Sequence, residues 1–144
     1  MDIRQFREEL AQAFEDAGFE RRSVPRSKDP QWVLPGREVG RLFSQQAMRR
    51  PWGFLLSGGL AIDVPAFREW LTKAFPRDQQ GVLRGCLSTW HIANDPDMFF
   101  GVEDETPPYQ QWVRQISRRL AVLPDTIEGL LRAQSDRVSG LECS

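Results

Sequence analysis

Residues 50–63 read Arg-Pro-Trp-Gly-Phe-Leu-Leu-Ser-Gly-Gly-Leu-Ala-Ile-Asp. Trp52, Phe54, Leu56, Leu60 and Ile62 share one parity, and residues two apart on an extended chain face the same side. The stretch is therefore a half-buried strand. Gly58-Gly59 interrupts the apolar series as a bulge or a tight hairpin turn, and the β-bulge is the favoured reading. Just upstream, Val39, Phe43 and Ala47 fit a helix face as well as alternate strand positions. Pairing residues 37–48 with this strand through Arg49–Pro51 makes a β-hairpin, and that reading organises the rest of the chain.

Working outward, Ile3, Phe6, Leu10, Ala13, Phe14 and Ala17 recur at three- and four-residue steps, one apolar stripe of a helix. Asp2 caps its start and Gly18 supplies a left-handed stop. Phe19–Val24 follows as a strand ending at Pro25. The polar stretch Pro25–Pro30 is a loop, and Trp32–Leu34 is a short strand before Pro35-Gly36. Beyond the hairpin, Asp63 is expected to cap a helix with Pro65 in its first turn and Phe67, Trp70, Leu71, Ala74 and Phe75 buried. Val82, Cys86, Trp90 and Ile92 share parity, which predicts a strand over Gly81–Ile92. Asn94–Thr106 reads as a loop. Pro107-Pro108 opens a helix carrying Tyr109, Trp112, Val113, Ile116 and Leu120. Pro124 opens a shorter one with Ile127, Leu130 and Leu131. The expected fold class is α+β, a two-layer sandwich of a mainly antiparallel four- or five-stranded sheet with about four helices.

The chain has 144 residues and a net charge of −1, with 40% hydrophobic and 27% charged residues. One globular domain over 1–144, with 139–144 as a frayed tail, is the expected organisation. No apolar run is long enough for a membrane span, and the opening MDIRQFREEL lacks the apolar core of a signal peptide, so a cytoplasmic location is expected. Two cysteines (Cys86, Cys143) and one histidine (His91) give no spaced ligand set for a metal and no disulfide framework. No cofactor is expected.

The opening helix running into Gly18-Phe19-Glu20-Arg21-Arg22, then Trp32, the strand pair ending in Leu60-Ala61-Ile62, and Leu83-Arg84-Gly85-Cys86-Leu87 together resemble the small bacterial domains called domain of unknown function 4304. Relatives of that group occur among the immunity proteins of polymorphic toxin systems. The resemblance spans about the first two thirds of the chain. It departs at Pro35-Gly36-Arg37 and has no counterpart for the C-terminal helices. It implies a non-enzymatic, partner-binding role and carries over no catalytic residue.

Four constellations bear on chemistry. Cys86 and His91 are the one thiol–imidazole pair, but five residues apart on a regular strand they face opposite sides. Ser57-Gly58-Gly59 lacks the lysine and spacing of a phosphate loop. Asp63 and Glu69 read as a helix cap and an exposed face rather than an acid/base pair. From Glu20 to Arg50, Arg21, Arg22, Arg26, Lys28, Arg37, Arg41, Arg49 and Arg50 outnumber Glu20, Asp29 and Glu38. With Trp32 and Trp52 interleaved, this basic stretch has the composition of a nucleic-acid surface. It also has that of arginines on the wet side of a sheet whose tryptophans fill the core.

Residues 94–106 have the opposite character. Asp95, Asp97, Glu103, Asp104 and Glu105 surround Met98, Phe99 and Phe100 with no basic residue between. Aromatic anchors in a charged rim are the anatomy of a protein-binding hot spot; the bland alternative tucks the phenylalanines under their own loop. The expected function is a non-enzymatic inhibitor of the immunity type. These eight residues would enter a basic cleft of a cognate toxin or other protein; the alternatives are nucleic-acid binding through 21–50 and a small enzyme working through Cys86 and His91.

Overall fold

The computed structural model describes residues 1–74, 76–77, 89–91, 98–103 and 106–132. Helix α1 spans Ile3–Asp16 and buries Phe6, Leu10 and Phe14 completely. Asp2 accepts the Gln5 N–H at 2.8 Å, satisfying one of the free donors of the first turn. At the other end Gly18 sits at φ +89°. Its N–H bonds the Glu15 carbonyl and the Phe19 N–H bonds that of Phe14. Phe19 then packs edge-on against Phe14, at 5.2 Å between centroids. Only glycine enters that left-handed conformation without strain, and the paired bonds with the apolar contact complete a Schellman stop.

Strands β1 (Glu20–Arg22), β2 (Gln31–Leu34), β3 (Gly40–Arg50) and β4 (Gly53–Asp63) form a meander in which each strand pairs antiparallel with the next. The β3–β4 hairpin is the long central ladder, running from Gly40 opposite Asp63 to Arg50 opposite Gly53. Pro51 and Trp52 make its turn. Trp52 is therefore a turn residue and not the first inward position of the strand. The ladder passes Gly58 and Gly59 without a break, opposite Gln45 and Ser44, so there is no bulge. Gly58 is glycine because of close approach: a Cβ there would stand 2.2 Å from the Ser44 carbonyl and 2.5 Å from the Phe43 ring.

Helix α2 (Pro65–Ala74) follows β4. Strands β5 (Thr89–His91) and β6 (Met98–Glu103) then both pair antiparallel with the free side of β4. His91 lies opposite Ala61 and Met98 opposite Gly58, so the two strands share one position in a sheet five positions wide. Residues 98–103, expected within a loop, are thus a strand; of the strand expected over 81–92, only 89–91 falls within the described residues. Helix α3 (Tyr109–Ala121) and a last helix, α4 (residues 127–132), close the described chain.

The α+β sandwich expected from the sequence is what forms. Helices α1 and α3 cover the inner face of the sheet, contributing Phe6, Leu10, Phe14, Trp112, Val113, Ile116 and Leu120 against Trp32, Phe43, Phe54, Leu56 and Leu60. Phe14 lies flat on Trp32 at 4.8 Å. Each fully buried side chain of this kind contributes roughly 1.5–3 kcal/mol. One polar chain crosses this core: Trp32 donates to Gln45, Gln45 to Asp29, and Asp29 also accepts from Arg7 and from the Ala47 N–H. A smaller cluster of Val39, Ile62 and Val64 gathers Phe67 from α2 and Ile127 and Leu130 from α4. Trp70, expected inside, is 58% exposed and stacks flat on Phe67, and Leu131 is likewise exposed.

Candidate functional site

Strand alternation decides how Met98, Phe99 and Phe100 are used. Met98, Phe100 and Val102 pair with Gly58, Leu56 and Phe54 and turn toward the inner core. The Phe100 ring sits 5.7 Å from Trp112. Phe99 pairs with Ser57 on the opposite, outward face and leaves 66% of its surface in solvent. The expected pair of protruding phenylalanines is therefore one anchor outside and one inside. Glu103 is exposed on the same outward face. Asp95, Asp97, Asp104 and Glu105 lie outside the described residues, as do Cys86 and the 139–144 tail.

Phe99 has aromatic company that the sequence reading placed elsewhere. A Cβ added at Gly101 would point outward and meet the Trp52 indole at 3.0 Å and Leu55 at 4.0 Å. The Trp52 ring thus lies over Gly101, one outward position along β6 from Phe99, and is itself 42% exposed. Met48 stands opposite Leu55 in the ladder, and Arg50 reaches back to the Met48 sulfur at 3.5 Å. The outward face at the hairpin end is an apolar patch of Phe99, Trp52, Leu55 and Met48, with Arg50 and Glu103 on either side of Gly53.

The other end of that face is ionic. Asp63 is the last residue of β4 and does not cap α2; the Val64 carbonyl takes the Phe67 and Arg68 N–H groups instead. Its carboxylate, only 4% exposed, accepts from Arg22 at 3.0 Å and Arg68 at 3.1 Å through the same oxygen, Oδ2. Among the described residues Oδ1 has no hydrogen-bond donor. Arg22 also donates from Nε to Gln31 at 2.8 Å. Burial pulls its pKa below the ordinary arginine value, Asp63 pushes it back up, and the Arg68 charge lowers it further. These groups border a shallow groove of about 330 Å³ with Pro35, Gly36 and Gly40. One buried carboxylate tying β1 and α2 to the end of β4 is an arrangement that fixes structure.

The basic stretch is largely committed to the fold. Arg21 lies 5.2 Å over the Trp32 ring and 3.8 Å from Glu15. Arg41 bonds the Leu123 and Pro35 carbonyls, and Arg49 covers Phe54 at 5.0 Å while donating to the Met1 carbonyl. Trp32 is completely buried and offers no face to a base. A groove of about 440 Å³ between α1 and the 23–30 loop carries Arg4, Arg7, Arg21 and Lys28, of which Arg4 and Arg7 pair with Glu8 and Asp29.

Ser57-Gly58-Gly59 is mid-strand, with no loop to wrap a phosphate. Among the described residues no three His, Cys, Asp or Glu side chains come together as a metal site. No described helix is long and apolar enough to cross a membrane. Comparison of the chain with family models, curated proteins and solved structures gives no match.

The signal that separates Phe99 from Phe100 was present in the sequence: Met98, Phe100 and Val102 alternate with Phe99, Gly101 and Glu103. The Trp52 placement had no such signal, because its ring position depends on the geometry of a turn.

Proposed function

We propose that this chain is a non-enzymatic protein-binding domain that acts in the cytoplasm as an immunity-type inhibitor, covering the active site of a cognate toxin. The observation that carries the reading is Phe99, 66% exposed on the outward face of the β4–β6 ladder, with Trp52, 42% exposed, over the next outward position at Gly101. A large aromatic ring held in water by a strand has already lost its backbone freedom, so docking it costs little further ordering. Anchors of this kind dominate interface energetics when they enter a pocket. Glu103 is exposed beside this patch, and Asp95, Asp97, Asp104 and Glu105 flank the strand in sequence, a composition suited to a basic cleft. Met98 and Phe100 support the anchor from beneath by packing on the core. No bond-making step is assigned to any residue of the chain.

Side-by-side affinity capture with the wild-type chain and Phe99→Ala tests the reading. A protein held by the first and lost from the second supports it. Identical proteins held by both overturn it.

A further inference from the structure

We propose that, in the absence of its partner, the edge of β6 that no described strand pairs associates with the same edge of a second copy of this chain. The inference rests on the reading above in one respect: it buries the same Phe99 and so makes self-pairing and partner docking mutually exclusive.

Among the described residues β6 pairs with β4 alone, so no described strand takes up the N–H and C=O groups on its other side. Such edges are commonly blunted by lysine, proline or a bulge. Met98–Glu103 has neither lysine nor proline, its register with β4 is unbroken, and its one charge is at the end.

The pattern is also self-complementary. A twofold axis perpendicular to the sheet keeps outward residues outward, so only registers that join like-facing residues are allowed. Centring the axis on Phe100 sets Phe99 opposite Gly101 of the second copy and Met98 opposite its Val102. Gly101 has no side chain, and the Trp52 ring lies over it. Each Phe99 ring therefore lands beside the other copy's indole, an aromatic cross-strand contact made twice. On the inner face Phe100 meets Phe100. Moving the axis to Gly101 instead sets Phe99 against Glu103 and two glycines against each other, losing the ring contact. The first register covers the exposed aromatic surface, and it is the one assigned.

Sedimentation velocity on the full chain alone tests this, so a negative result overturns the pairing and leaves partner docking to its own experiment. The wild type is expected to form a dimer, twice the 16.6 kDa of one chain, with a dissociation constant in the micromolar range. Phe99→Lys, at an exposed position that leaves the circular dichroism spectrum unchanged, is expected to weaken it by about tenfold or more. Trp52→Ala is expected to weaken it as well. A wild type that stays monomeric into the high micromolar range overturns the proposal. So does a dimer that both variants leave intact, because that dimer would use another surface.

Discussion

Arg22 in β1 and Asp63 at the end of β4 meet at 3.0 Å across two intervening strands. The contact ties the edge of the meander to its centre on the face away from α1 and α3. Arg68 of α2 joins the same oxygen, so one carboxylate joins three elements. Asp63→Ala takes the Asp63 carboxylate away from the largely buried Arg22 and is expected to destabilise the chain by about 3–5 kcal/mol. Arg68→Ala removes the more exposed partner and is expected to cost under about 1 kcal/mol. Urea unfolding followed by circular dichroism separates the two; equal effects would mean that the pair across the strands is not the dominant one.

Phe99 and Phe100 are adjacent in sequence and are expected to behave oppositely. Phe100→Ala removes a ring packed on Trp112 and is expected to lower stability by about 2 kcal/mol or more. Phe99→Ala is expected to leave stability within about 0.5 kcal/mol of wild type, yet to weaken partner binding by about 2 kcal/mol or more. Glu103→Lys is expected to slow association with a basic partner and to flatten its salt dependence. Thermal melts and stopped-flow association rates give the readouts.

Gly58→Ala places a methyl against the Ser44 carbonyl and the Phe43 ring. Neither the central ladder nor the stacked core can give way cheaply, so the expected loss is about 1–3 kcal/mol, read from the urea midpoint.

Tyr109 opens α3 and donates its hydroxyl to Glu9 of α1 at 2.7 Å. That bond, followed by one from Gln5, holds the Glu9 carboxyl below its ordinary value of 4.5. Burial first, then Glu9, raises the Tyr109 phenol above its ordinary 10.0. The signs give two windows. Glu9 contributes stability above about pH 4.5 that is lost as pH falls through its lowered folded value. Tyr109 contributes stability below about pH 10 that is lost as pH rises above it. Tyr109→Phe is expected to cost about 0.5–1.5 kcal/mol at neutral pH and to return Glu9 toward 4.5 in an NMR titration. An unmoved Glu9 would show that the hydroxyl does not set it.

Much of the fold was legible because its signals are local. The α1 stripe, Asp2 and Gly18 specify a helix with both ends, and each does what its chemistry dictates. The hairpin was legible from the parity of residues 54–62. The glycine pair misled because two glycines are compatible with both a bulge and a close-packed ladder; only the Phe43 ring across the strand distinguishes them. Asp63 misled in the same way: an aspartate before a proline-led helix is a good cap, and nothing nearby announces Arg22 forty-one residues upstream. At the site, reading 94–106 as one polar loop hid the alternation within 98–103. Trp52 escaped because a ring in a two-residue turn can fold over either face.

The side of β4 shared by β5 and β6 has a consequence for sequence tolerance. His91 and Met98 anchor to residues of β4 with only Gly59 and Leu60 between their partners, whereas six residues of chain join them. Each anchor holds its own alignment, so lengthening or rewriting the connection shifts neither. Two separate pairings on one side of β4 thus leave the sheet insensitive to what joins them.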